Sequence, residues 1–474
     1  MTTLTQETDS SPAHPGPFPF DPGFDIQSVA SLAVSLPSHS WEFGTASEAL
    51  LELYNPELAV FGEDPFGLVP PLSKAQGLGS NRSQSNSNFP FKIIPSLTYA
   101  SSKITLNLSS NAGANVLSDG DGATGDPASL GVSAVLLGRG LGFGFGQGGK
   151  NKTWIFEFRE GARRTMEYLV GGAPRYANGA ISQRADVAEL WADFVYMAPP
   201  FLAYYAVSTS NLSLLLDTVD QCGFYRQILQ LGSPSDVEDY PPSPTDALNG
   251  LWRHIIGPQS SDPGLWSTGN AWAAAGMTRI LATVVKAPKE LFQSPIRYPS
   301  TNISASSNSS SLVPSNLRRT TAISVLTTYI KEILDGVIFA APLDNGLLRN
   351  YLNETLESGH GYGEISGSSL LASVVYRMII LRPDVFLDLP ADSDSGKNWT
   401  TTGSAYLDWA DGIRHTIGSE GYVSSNGTVA PAVNPLDWGS TVPYTAGSPE
   451  GQNFVVLMYA AWRDCVLEGL CQEN

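Results

Sequence analysis

Apolar residues at helical spacing, in stripes that stop at glycine or proline, recur along almost the whole chain and leave little for a sheet. Ile26, Val29, Ala30 and Ala33 keep that period until Pro37, and residues 41–54 resume it with Ala46, Leu50, Leu53 and Tyr54. Residues 153–169 read as a helix ended by Gly171 and Gly172, and 211–231 carry Leu215, Val219, Cys222, Tyr225 and Leu229 on one face. The stripe of 317–335 (Ala322, Leu326, Tyr329, Ile330, Ile333) closes at Gly336, and further helices are predicted over 357–380, 402–417 and 450–466. About six helix pairs with few short strands predict an all-α single domain over residues 25–474. Before it, residues 1–24 form a disordered or extended lead-in. The Ser/Asn-rich tracts at 74–92 and 297–316 read as exposed loops, and residues 101–108 as a short strand or extended arm.

Charge narrows the partners. With 45 acidic against 27 basic residues the net charge is −18, which repels phosphate backbones and anionic bilayers, so neither nucleic acid nor a membrane surface is an expected partner. A neutral or locally neutralised ligand and a monomeric chain are expected. Cys222, Cys465 and Cys471 match no zinc or thioredoxin spacing and permit at most one internal disulfide. Cys222 and Cys465 fall in apolar helical patterns that suit small buried thiols. The amino-terminal stretch lacks the basic start and apolar run of a signal peptide, yet sequons stand at Asn81, Asn107, Asn151, Asn211, Asn302, Asn308, Asn353, Asn398 and Asn426. A secretory route, with a leader absent from this amino terminus, reconciles the two; the cytoplasm is the alternative.

Residues 178–206 hold carboxylates in the most aromatic and apolar surroundings of the sequence. Read as a helix, Asp186, Glu189 and Asp193 share one face beside Leu190, Phe194 and Met197, so at least one acid is pressed against a core. Desolvation of that kind raises a carboxyl pKa and can make a general acid; an ordinary acidic helix face is the simpler alternative. Pro199 and Pro200 must bend or break such a helix. A second concentration spans 251–281, where Trp252, Trp266 and Trp272 surround His254, Asp262 and the Thr268-Gly269-Asn270 turn; tryptophans suit the flat faces of sugar rings, or simply the core.

Other motifs are weak. Asp126 before Pro127 is an ordinary helix cap, and the aspartates at 119–126 lack the ligand spacing of a calcium loop. GFGQGG at 144–149 matches a dinucleotide fingerprint in letters only, since no strand precedes it. Neither G-x-S-x-G nor H-E-x-x-H occurs.

Several stretches taken in order resemble a known family: the helix opening at Trp41, GDPASLG (125–131), ELWADFVYM (189–197) then PPFLAYYA, LWRHI with LWSTGNAWAAAGM (251–277), GEISGSS (363–369) and EGQNFVVLMYAAW (450–462). Over most of 38–466 the chain is similar to the six-hairpin glycosidases, especially the unsaturated rhamnogalacturonyl hydrolases of glycoside hydrolase family 105 and the unsaturated glucuronyl hydrolases of family 88. The resemblance implies an (α/α)6 toroid whose cleft takes an oligosaccharide ending in a 4,5-unsaturated uronic acid. It implies catalytic roles for Asp193, which protonates the vinyl ether, and for Asp126 as the second aspartate. His254, Trp266, Trp272, Asn270, Gln183, Trp191 and Met197 would contact the sugar, with no metal or other cofactor. Two departures remove positive charge: Gln183 stands where the family commonly has His, and Thr268 where it commonly has Arg, leaving Arg184, Arg253 or Arg279 to compensate. A non-catalytic sugar-binding member, or an (α/α) toroid lyase using Tyr196, are the alternatives.

Overall fold

The computed structural model describes residues 16–66, 94–141, 150–232, 248–293, 315–387, 405–419 and 421–473. The loop expected at 74–92, residues 297–314 of the loop expected at 297–316, the glycine fingerprint at 144–149, the first fifteen residues and the sequons at Asn81, Asn302, Asn308 and Asn398 lie outside them, while residues 315 and 316 belong to a helix rather than a loop. Among the described residues there are fourteen α-helices and only four strands, each of two residues.

Six helices are buried on nearly every side: α2 (Ser40–Tyr54), α4 (Gly131–Gly138), α7 (Pro199–Ser208), α9 (Ser267–Lys286), α11 (Ile365–Leu381) and α14 (Pro449–Leu467). With no face left for water, these helices pack on one another. They do so in a closed circle, α2 on α4, α4 on α7, α7 on α9, α9 on α11, α11 on α14, and α14 back on α2. Around them stand six one-sided helices, α1 (Ile26–Ser35), α3 (Pro95–Lys103), α5 (Lys150–Gly171), α8 (Leu212–Leu229), α10 (Ser315–Asp335) and α13 (Ala405–Gly418). Each packs on the inner ring, as α3 does on α2 and α4 and α13 does on α11. On α1 the buried residues are Ile26, Val29, Ala30 and Ala33, the stripe visible in the sequence. Outer and inner helices alternate along the chain, which makes the fold an (α/α)6 toroid.

Residues 16–24 are an extended arm laid on the ring's seam: Phe18 meets Tyr54 and Tyr459, and Phe20 meets Trp462. The interior of the ring also holds buried ion pairs, Arg279 with Glu48 and Arg377 with both Glu52 and Asp464. Such pairs tie α2, α9, α11 and α14 together, because removing one partner would strand the other's charge away from water.

Three expectations are corrected. Residues 186–193 are not helical: they run through bends into β1 (Leu190–Trp191), after which the one-turn α6 (Phe194–Met197) ends at Ala198 and Pro199 and Pro200 open α7. Residues 101–103 end α3, and only 104–108 are extended, with Thr105 and Asn107 donating to Leu117 and Val116. Cys465 is not a thiol but is bonded to Cys471, while Cys222 is free and buried.

Candidate active site

The inner helices contribute residues at or just before their amino ends to one cavity of about 790 Å3 including its open mouth. Trp41 lies at the start of α2, Asp126 just before α4, Asp193 and Met197 just before α7, Trp266 caps α9, and Glu450 is in the first turn of α14. Gly120, Asp121, Gln183, Arg184, Trp191, His254, Pro435, Leu436 and Trp438 complete the wall.

Asp193 is positioned by pairing. β1 runs antiparallel to β2 (Ile255–Ile256), Leu190 opposite Ile256 and Trp191 opposite Ile255, and the Ala192 amide donates to the His254 carbonyl at 2.9 Å. The carboxylate precedes α6 without capping it, and its Oδ2 is buried with no hydrogen-bond partner. His254 Nε2 lies 3.3 Å from that oxygen, out of hydrogen-bonding alignment, so the two attract without saturating each other. The other ring nitrogen, Nδ1, is 2.9 Å from Asp262 Oδ2, which also accepts the Tyr351 hydroxyl at 2.6 Å. Burial opposes a charged His254, but Asp193 and Asp262 outweigh it and hold its pKa above the ordinary value. For Asp262 burial is likewise outweighed, by the bonds from His254 and Tyr351, and its pKa is lowered.

Asp126 has the opposite environment. Burial pushes its carboxyl up to about 7; the Gln183 hydrogen bond opposes this and the nearby Asp193 adds to it. Gln183 Nε2 donates to Asp126 Oδ1 at 2.8 Å. The approach needs Gly125: a Cβ there would sit 2.6 Å from Gln183 Oε1 and 2.9 Å from the Phe194 ring. Asp126 itself is the first residue of a 3-10 turn capped by Gly125, so the side-chain cap read from Asp-Pro is corrected.

Glu189 is buried and structural. It accepts Trp191 Nε1 at 2.7 Å and the amides of Gln259 and Ser260, fixing a wall of the cavity, while Asp186 is exposed. The three acids therefore share no helical face. Trp191, Trp266 and Trp438 enclose the His254 ring, with Trp266 closest at 4.4 Å between centroids.

Two residues expected at the sugar are elsewhere. Trp272 is fully buried between Tyr196 and Phe454. Asn270 spends its amide on the backbone, accepting from Trp252 N and donating to the carbonyls of Trp252 and Trp266. Both sit one or more turns inside α9, behind the Trp266 that lines the cavity. Thr268 is also buried, 3.4 Å from Glu364, and Arg279 is committed to Glu48; of the three cations considered, Arg184 lines the cavity. Tyr196 is buried with its ring against Arg279, outside the cavity wall, which removes the base a lyase reading would need.

Trp41, Trp438 and Glu450 carry no assigned role in the sequence reading. Trp41 and Glu450 open helices already recognised there, and the inner-helix order would have directed them to the cavity; Trp438 lies in an irregular loop with no periodic signal. Among the described residues no three His, Cys, Asp or Glu are grouped to hold a metal ion, and no helix is long and apolar enough to cross a membrane.

Residues 155–304 match the family model Glycosyl Hydrolase Family 88, a span that contains Gln183, Asp193, His254 and Trp266. No curated protein matches the chain. Similar solved structures include a Clostridium (C. acetobutylicum) glycoside hydrolase from family 105, 13% identical, with TM-score 0.54 over 93% of this chain and 99% of that one. Possible members of family 105 from Salmonella enterica serovar Paratyphi A (13% identical, TM-score 0.53, 97% and 100% covered) and Klebsiella pneumoniae (14%, 0.52, 98% and 99%) are alike to the same degree. At such identity the likeness is one of fold.

Proposed function

We propose that this chain, a six-hairpin glycosidase related to glycosyl hydrolase family 88, removes a terminal 4,5-unsaturated uronic acid from pectin, rhamnogalacturonan or glucuronan fragments. The observation that carries the reading is the pair of carboxyls in one tryptophan-lined cavity: Asp193, whose buried Oδ2 accepts no aligned hydrogen bond and faces His254 Nε2 at 3.3 Å, and Asp126 pushed up to about 7. Protonating an enol ether needs an acid that still holds its proton near neutrality. In this reading Asp193 gives its proton to C4, the developing cation at C5 is attacked by water, and the Asp193 carboxylate takes up the water's proton. The hemiketal so formed opens and releases the remaining sugar. In this reading the uronate carboxylate pairs with Arg184, a guanidinium of the cavity wall whose Nε has no hydrogen-bond partner.

One observation favours exchanging the two acids. Asp126 is the carboxyl raised to about 7, whereas Asp193 faces an imidazole that it helps to keep charged. The comparison of variants decides between them. Loss of the unsaturated uronate absorbance is followed in lyase-treated polysaccharide fragments, with circular dichroism as the folding check. Asp193→Asn is expected to cost on the order of 100 to 10,000-fold in rate. Full activity of Asp193→Asn would remove its role, and inactivity of the unmutated chain on every fragment would reject the substrate class.

A secretory route is our inference for location. It rests on the Cys465–Cys471 disulfide, which persists in oxidising compartments, and on exposed sequons at Asn107, Asn353 and Asn426.

A further inference from the structure

Besides Asp121, Asp126 and Asp193 a fourth carboxyl, Glu450, lines the cavity, and the reaction just described makes no use of it. Glu450 is 4% exposed, lines the cavity wall, and stands in the first turn of α14. Its Oε1 accepts the Trp41 indole N–H at 3.3 Å, while its Oε2 is buried without a hydrogen-bond partner. Helix capping does not explain it, because Ser448 caps α14 by accepting from Gly451 N at 3.2 Å. No described salt bridge reaches it either. A buried polar oxygen left unpaired is costly unless something arrives to pair with it.

We propose that Glu450, held by Trp41, is a sugar-hydroxyl-binding position of this cavity, its Oε2 donating an O–H to a hydroxyl of the bound ring. The proposal rests on the reading of the cavity as a saccharide site, but not on the unsaturated uronate or on the proton transfer.

The charged groups around Glu450 favour the donor form. Burial is the largest influence, and Asp193 before α6, Glu42 on α2 and Glu364 at the start of α11 add like charge, so the carboxyl stays well above its ordinary pKa. The Trp41 N–H works against this. The amino end of α14 also favours a carboxylate, but a helix end contributes less than the desolvation of a buried charge costs. Glu42 Oε2 is occupied by the amides of Ser38 and His39. A proton on Glu450 has a second effect: it removes one negative charge from a wall that already carries Asp121, Asp126 and Asp193. Affinity for an anionic sugar is thereby tied to the proton, and deprotonation both deletes the donor and adds repulsion.

The test compares wild type with Glu450→Gln, a neutral side chain of the same shape that keeps a donor, and with Glu450→Ala. Tryptophan fluorescence is titrated with saturated digalacturonate and with neutral galactobiose at about pH 6. Glu450→Gln keeps the donor and is expected to bind both sugars as wild type does, whereas Glu450→Ala is expected to bind both on the order of 10-fold more weakly. The infrared difference between wild type and Glu450→Gln at about pH 6 should contain a protonated carboxylic acid band. Equal affinity of wild type and Glu450→Ala, a missing acid band, or folded protein that binds neither disaccharide would each overturn the proposal. Failure to turn over unsaturated fragments, with the affinity difference intact, would reject the reaction and leave this position standing.

Discussion

His254 Nε2 stands 3.3 Å from Asp193 Oδ2, and a two-residue ladder between β1 and β2 puts it there. The imidazole is bracketed, with Asp262 on Nδ1 and Asp193 at Nε2, so each carboxylate favours the charged ring although burial disfavours it. Asp262→Asn removes one of these and should lower the His254 pKa, leaving the ring neutral at a lower pH. Proton NMR titration of the His254 ring measures this; an unchanged midpoint would mean that Asp262 acts only through Tyr351 and the loop it holds. Because the folded pKa is raised, stability from this pairing is fully present below the ordinary histidine value and fades as pH climbs through the folded one.

Asp126 carries a pH signature of the same sense, at lower pH. Its carboxyl is raised from 3.8 to about 7, so the folded chain holds a proton that the unfolded chain has already lost. Stability is therefore greatest below about pH 4, declines through the window from about 4 to 7, and then levels. Asp126→Asn abolishes that decline. It should melt close to wild type at pH 4 and above it at pH 8, while slowing turnover, and equal melting temperatures at pH 8 would contradict the burial argument. A stabilised but impaired variant is the pattern expected of a group strained for chemistry.

The tryptophans separate by depth. Trp272 is enclosed by Tyr196 and Phe454, and Trp272→Ala should cost about 3–5 kcal/mol in chemical denaturation through the void it leaves. Trp266 lines the cavity against His254, with its N–H bonded to Asn350 at 2.9 Å. Trp266→Phe retains most of the packing, so its effect should fall on saccharide affinity more than on denaturation midpoint. If the phenylalanine variant binds as wild type does, Trp266 belongs with Trp272.

How far the sequence reaches is clear from these residues. Outer helices such as α1 were legible because one wet face leaves a period of 3.6, and Ile26, Val29, Ala30 and Ala33 kept it. Inner helices such as α7 are buried all round, so composition marks them but periodicity does not. The failure at 186–193 has the same root: acids at helical spacing suggested a face, whereas the backbone is held by a short ladder to residues more than sixty positions away. Long-range pairing of two residues leaves no local pattern. Trp272 and Asn270 were misplaced because a motif on a helix start does not say which residues point to the mouth and which lie a turn behind it. Thr268 follows the same rule, so the missing Arg of the family pattern is not an empty place in this cavity wall.

The Cys465–Cys471 bond closes a short loop at the end of α14, six residues apart. Loop-closure entropy for so short a ring contributes about 2 kcal/mol, and the bond is far in sequence from the α14 residue that lines the cavity, Glu450. Cys471→Ser should therefore lower the denaturation free energy by roughly that amount and leave saccharide turnover unchanged. Cys222, free and buried, has a thiol pushed up to about 12, chiefly by burial, and stays inert until the chain unfolds. Alkylation of protein from its native host in denaturant should label one cysteine before reduction and three after it. The same sample bears on location: glycans are expected at the exposed sequons Asn107 and Asn426, and at Asn302 or Asn308. Three labelled cysteines without reduction, together with unmodified asparagines, would place the chain in a reducing compartment and end the secretory reading.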